Sequence, residues 1–155
     1  MRSNFLQVMR VRRRGLRLRG AALAGLVLPA LGAAALGASA PVNVELNRLD
    51  DQGGNCRVSF VIANPGGDNF SGFKLDLVVF DRGGTITRRL AADIAPLRAE
   101  KTSVKVFDIP ETPCSGIGSI LVNDVLDCRD GAGGAVADCV GRVATASKLP
   151  VSLLK

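Results

Sequence analysis

The chain predicts an all-β fold, an antiparallel β-sandwich of about seven strands behind an N-terminal signal segment. Beyond residue 40 the sequence consists of short runs rich in Val, Ile, Leu and Phe, separated by clusters of Gly, Pro, Asn and Asp. Within the runs apolar and polar residues alternate, the period of a strand with one face buried. No stretch of this region carries the three-to-four residue period of an amphipathic helix, and all four cysteines fall within it.

Val42 to Leu49 is the first expected strand, with Val42, Val44 and Leu46 inward and Asn43, Glu45 and Asn47 outward. Cys56 to Ala63 follows, placing Cys56, Val58, Phe60 and Ile62 on one face. Asn64-Pro65-Gly66-Gly67 is a turn, because proline presets one backbone angle and glycine accepts the conformations other residues avoid. Phe73 to Phe80 directs Phe73, Leu75, Leu77 and Val79 inward and Lys74 and Asp76 outward. Asp81-Arg82-Gly83-Gly84 then reverses the chain into Thr85 to Leu90. A connection through Pro96 and Leu97 leads to Thr102 to Ile109, where Val104 and Val106 flank Lys105 and Phe107 lies out of phase with both valines unless a bulge rotates it. Ile117 to Leu126 and Arg142 to Leu149 complete the set, before an apolar tail of Val151, Leu153 and Leu154. This count fits an immunoglobulin-like topology, although the aromatic hallmark of that fold is missing, since the chain has no Trp and no Tyr.

Residues 1–40 read as a signal peptide and 41–155 as the mature domain. Seven arginines, at positions 2, 10, 12, 13, 14, 17 and 19, precede an uncharged apolar run from Gly20 to Gly37 and a small-residue site at Ala38-Ser39-Ala40. The whole chain has 20 basic and 14 acidic residues, so without those seven arginines 13 bases face 14 acids. The sequence pI near 9.7 is therefore an export address and not the footprint of a nucleic-acid binder. Arg13-Arg14 followed by Gly15-Leu16 resembles the twin-arginine signal, with the general secretory route as the alternative. An uncleaved leader would serve instead as a membrane anchor, since residues 20 to 42 have the length to cross a bilayer; membrane contact is expected only in that case. The expected location is the periplasm or the exterior.

Four cysteines in a short exported domain predict two disulfides. The Cys128 to Cys139 segment encloses a flexible Gly-rich turn that lets its ends meet, which leaves Cys56 for Cys114. A four-thiolate zinc site lacks both a C-x2-C pair and any histidine.

Leu77-Val78-Val79-Phe80-Asp81 resembles the F-x-L-Y-D strand ending of FxLYD-type extracellular sandwich domains. Ile94-Ala95-Pro96-Leu97-Arg98-Ala99-Glu100-Lys101-Thr102 resembles the Pro-Leu-x-x-Gly-Glu/Lys-Thr connection of the same domains, with Ala99 in place of the Gly. The likeness spans Cys56 to Ile109 and implies an immunoglobulin-like sandwich. Over its full length the chain is similar to a family of uncharacterised proteobacterial exported proteins, through Lys74 to Asp81 and Leu121 to Cys128. That family implies no catalytic residues.

Composition also argues against catalysis. Without histidine, neither a Ser-His-Asp nor a Cys-His arrangement can be assembled. Ser147 and Lys148 are adjacent on a strand and point to opposite faces. Asp124, Asp127, Asp130 and Asp138 form an acidic, glycine-rich stretch that lacks the alternating ligand spacing and closing Glu of a calcium loop. Arg82, Arg88, Arg89 and Arg98 come without interleaved aromatics and read as a solvated strand face. No catalytic, metal or cofactor residues are therefore expected.

The remaining expectation is recognition of another envelope protein by a non-catalytic module. The alternative is a structural accessory domain of a membrane-anchored envelope assembly that keeps its leader. Val61, Ala63, Val78 and Phe80 fall on the outer phase of their strands. If the second and third strands were neighbours, Val61, Val78 and Phe80 would form one exposed apolar partner surface.

Overall fold

The computed structural model describes residues 40–155. The signal segment, its cleavage site and its twin-arginine motif lie outside the described residues. Eight strands follow one another as β1 (Val42–Gln52), β2 (Asn55–Asn64), β3 (Phe70–Asp81), β4 (Ile86–Asp93), β5 (Lys101–Ile109), β6 (Ile117–Asp130), β7 (Val143–Ser147) and β8 (Ser152–Leu154), with one short 3-10 turn at Cys114–Gly116. They form two four-stranded sheets, ordered β5-β2-β1-β7 and β4-β3-β6-β8. The all-β sandwich is the observed architecture. Two pairings depart from a purely antiparallel scheme, because β7 runs parallel to β1 and β8 parallel to β6. The Arg142 to Leu149 segment thus ends early at Ser147, and the apolar tail becomes an eighth strand in the opposite sheet.

Alternation places the core as expected. Val42, Val44 and Leu46 of β1, Val58, Phe60 and Ile62 of β2, and Phe73, Leu75, Leu77 and Val79 of β3 are all buried. Ile120 and Val122 of β6, beside β3 in its sheet, join the β3 residues in facing those of β1 and β2. Each such side chain contributes about 1.5–3 kcal/mol of burial to holding the sheets together. A bulge between Leu46 and Arg48 resets the phase of β1, so that Leu49 again faces inward opposite Val58.

On β5 the phase differs from the expected one. Val104 and Val106 are 63% and 52% exposed, while Phe107 packs on the core with its ring 6.2 Å from that of Phe60. No bulge rotates it: β5 pairs regularly with β2 from Asn64↔Lys101 to Cys56↔Ile109. The larger apolar surfaces of Phe107 and Ile109 claim the core, and the two valines go outward with Asp108, which receives a two-pronged hydrogen bond from Arg57 at 2.8 and 3.0 Å. Lys105 shares the inward phase and reaches across the open side of the sandwich, where its Nζ donates to the Ala95 carbonyl at 2.6 Å.

Both disulfides join the expected partners. Cys56 at the start of β2 bonds Cys114 just before β6, which ties one sheet to the other. Cys128 near the end of β6 bonds Cys139 and closes the glycine-rich loop. Among the described residues no helix is long and apolar enough to cross a membrane.

Candidate functional site

The outer face of the β4-β3-β6-β8 sheet carries exposed apolar side chains around two of the expected partner residues, Val78 and Phe80. β3 sends Lys74, Asp76, Val78 and Phe80 to this face. Val78 lies between Arg89 of β4 and Leu121 of β6. Phe80 lies between Ile86 and Ser119, and Leu121 in turn pairs with Leu154 of β8. An apolar strip therefore runs across all four strands through Ile86, Phe80, Val78, Leu121 and Leu154. Its ends are open, with Ile86 61% and Leu154 46% exposed, whereas Val78 at its centre is 7% exposed and Phe80 is half-buried.

A polar cluster borders the strip. Arg89 donates to both carboxylate oxygens of Asp76, from Nε at 2.8 Å and from Nη2 at 2.6 Å. Asn123 adds a third hydrogen bond at 2.7 Å. The Asp76 side chain is thereby covered, while the Arg89 side chain remains largely exposed. These hydrogen bonds, chiefly that of Arg89, hold the Asp76 carboxyl below the usual carboxylate range against the opposing effect of burial. The Arg89 guanidinium is correspondingly raised, with a smaller contribution from the nearby charge of Asp124. A planar cation fixed beside an apolar strip is the composition that protein interfaces favour.

Val61 does not belong to this surface. β2 and β3 lie in different sheets, so Val61 stands on the outer face of the other layer, between Glu45 of β1 and Val104 of β5. Ala63 lies there too. The chain crosses from one sheet to the other after Asn64, and consecutive strands there do not pair. The expected surface of Val61, Val78 and Phe80 is thus split across the two outer faces of the sandwich. The residues that complete the strip, Ile86, Leu121 and Leu154, come from β4, β6 and β8. Of these only Ile86 had a sequence signal, because the Asp81 to Thr85 turn brings it back opposite Phe80.

The other candidate groups have local partners. Ser147 donates through Oγ to the carbonyl of Val151 at 2.6 Å and accepts from the Leu149 amide at 3.1 Å, while Lys148 reaches Glu45 at 3.7 Å. Asp130 accepts the amides of Ala132 and Gly134 at 2.9 and 2.8 Å, and Asp127 pairs with Arg129 at 3.0 Å. Those carboxylates brace their own loop, and among the described residues no group of His, Cys, Asp and Glu side chains is placed to hold a metal ion. Arg88 pairs with Glu111 at 2.5 Å and Arg89 with Asp76, so the two neighbouring arginines serve different contacts.

No family model matches the chain, and no curated protein does. Among solved structures the chain is similar to IrmA from Escherichia coli, at 11% identity and a TM-score of 0.50, over 68% of this chain and 90% of that one. At that identity the likeness concerns the fold alone.

Proposed function

We propose that this chain is an exported, non-catalytic binding module that recognises another envelope protein through the outer face of the β4-β3-β6-β8 sheet. The observation that carries this reading is the apolar strip with open ends at Ile86 and Leu154, half-buried Phe80 and Leu121 and a buried Val78 between them, bordered by the Arg89 and Asp76 pair. Exposed apolar side chains rimmed by polar groups, as at the two ends of this strip, are a usual mark of a partner surface. The two disulfides fit an oxidising compartment, and the arginine-rich leader supports delivery there. The resemblance of Lys74 to Asp81 and Leu121 to Cys128 to uncharacterised proteobacterial exported proteins supports the same reading.

The test is envelope capture with variants of the strip. Ile86→Glu places a charge on an open position and leaves the fold intact, since surface changes of this kind cost within about 0.5 kcal/mol. Loss of a specific captured protein with Ile86→Glu and with Phe80→Ala, at unchanged thermal stability of the former, supports the reading. Equal capture by all forms contradicts it.

A further inference from the structure

The edge of the other sheet presents a second surface of different chemistry. β5 is the free edge of its sheet and the longest edge strand, with nine residues against eight in β4, five in β7 and three in β8. Short or irregular edges are protected from adding another strand. β4 is interrupted by a register shift opposite Val79 and Phe80, whereas β5 pairs without interruption along its whole length. One edge of its backbone is therefore straight and unpartnered.

A groove of about 260 Å³ lies along that edge, lined by Pro96, Leu97, Arg98, Lys101, Ser103, Val104 and Lys105. It holds three cations and no carboxylate. Among the described residues no acid lies within ion-pair distance of Arg98, Lys101 or Lys105; Lys105 donates only to the neutral carbonyl of Ala95. In a domain whose charges otherwise balance, three unpaired cations in one groove are a local feature. Lys101, Ser103 and Lys105 share the inward phase of β5, and Thr102, Val104 and Val106 the outward phase. The two faces of the free edge thus ask for different side chains.

We infer that the free edge of β5 takes an extended acidic peptide as an additional strand, its acids meeting Lys101, Lys105 and Arg98 and its alternate apolar residues meeting Val104 and Val106. A strand added about 4.8 Å from β5 gains main-chain hydrogen bonds along its length, and side chains on alternate positions supply the selectivity. Lys105 provides the discrimination. Its ammonium is held by the neutral Ala95 carbonyl but its charge is uncompensated, so it repels a basic segment laid against the edge, and an acid at the facing position supplies the missing countercharge. The outward phase continues the Val61 and Val104 pair, so an apolar residue there extends existing apolar surface.

The experiment uses the disulfide-bonded protein and three synthetic peptides: one alternating Glu with Val, the same peptide methylated at alternate amide nitrogens, and one alternating Lys with Val. Binding is read by calorimetry and by hydrogen-exchange protection of the β5 amides. The Glu peptide is expected to bind and to protect β5, the other two to fail, and Arg98→Glu or Lys101→Glu to weaken binding about tenfold each at unchanged melting temperature. Both substituted residues are exposed and lie outside the core, so the variants remain folded. Equal binding of the methylated peptide reduces the contact to charge alone and overturns strand addition. Equal binding of the Lys peptide, or indifference to both substitutions, overturns the charge match. β5 protection that rises with protein concentration in the absence of peptide assigns the edge to a second copy of this chain and also overturns the proposal.

Discussion

Leu77 and Phe80 stand three residues apart on β3 and meet different surroundings. Leu77 is buried between the sheets, and its replacement by Ala removes packed surface and leaves a cavity, at a cost of about 2–5 kcal/mol. Phe80 is half-buried on the outer face, so Phe80→Ala is expected to cost clearly less than Leu77→Ala in urea denaturation while reducing partner capture. Equal costs would make Phe80 a structural residue. Asp76 supplies the pH dependence on the same face. Its carboxyl is lowered in the fold by Arg89 and Asn123, relative to about 3.9 in an unfolded chain. The charged form thus stabilises the fold above that value, and this contribution is lost as the pH falls through the lowered native value. Denaturation midpoints between pH 7 and pH 2 are expected to fall steeply at the acid end. Asp76→Asn is expected to be less stable at pH 7 and to show a shallower acid limb. Part of the slope remains in that variant, because Arg57 also lowers the Asp108 carboxyl on the other sheet. An unchanged slope would show that the Arg89 and Asp76 pair does not stabilise the fold.

The strands differ in how plainly the sequence announces them. β1, β2 and β3 were legible because each contains a run of apolar residues on one phase against polar residues on the other, Val42, Val44 and Leu46 in β1, Cys56, Val58 and Phe60 in β2, and Phe73, Leu75 and Leu77 in β3. β5 carries apolar residues on both phases, Val104 and Val106 against Phe107 and Ile109, and its local pattern does not say which pair wins. The answer depends on the edge position and on Phe60 across the core, both non-local. The same holds for the candidate site: Val78 and Phe80 were readable as outward-facing, but whether Val61 joins them depends on sheet pairing that no local signal records. Gly118 shows how tightly β6 meets the end of β3. A methyl group there would collide with the Asp81 carbonyl oxygen and lie 2.8 Å from its carbon, where the register between Phe80 and Asp81 shifts. Because that obstruction is backbone, Gly118→Ala is expected to destabilise by about 1–3 kcal/mol, the usual cost of overpacking. A neutral effect on the urea midpoint would mean that the irregularity relaxes freely.

At the scale of the molecule, the two sheets are held by the core and by the Cys56 to Cys114 disulfide, which closes a 58-residue separation. Chain entropy assigns that link about 4 kcal/mol and the 11-residue Cys128 to Cys139 link about 3 kcal/mol. The Cys56→Ser, Cys114→Ser double variant is accordingly expected to lose more stability than the Cys128→Ser, Cys139→Ser one, as measured by thermal unfolding. This bracing leaves the outer faces free to present side chains, and they present different chemistry. One carries the apolar strip beside Arg89, and the open edge beside β5 carries unpaired cations. Photo-crosslinkers placed at Ile86 and Leu154, with one at Asn43 on the opposite sheet as the reference, test the central claim in the intact envelope most directly. The same discrete protein adduct is expected from Ile86 and from Leu154 and none from Asn43. Adducts from all three positions alike, or from Asn43 alone, would contradict it.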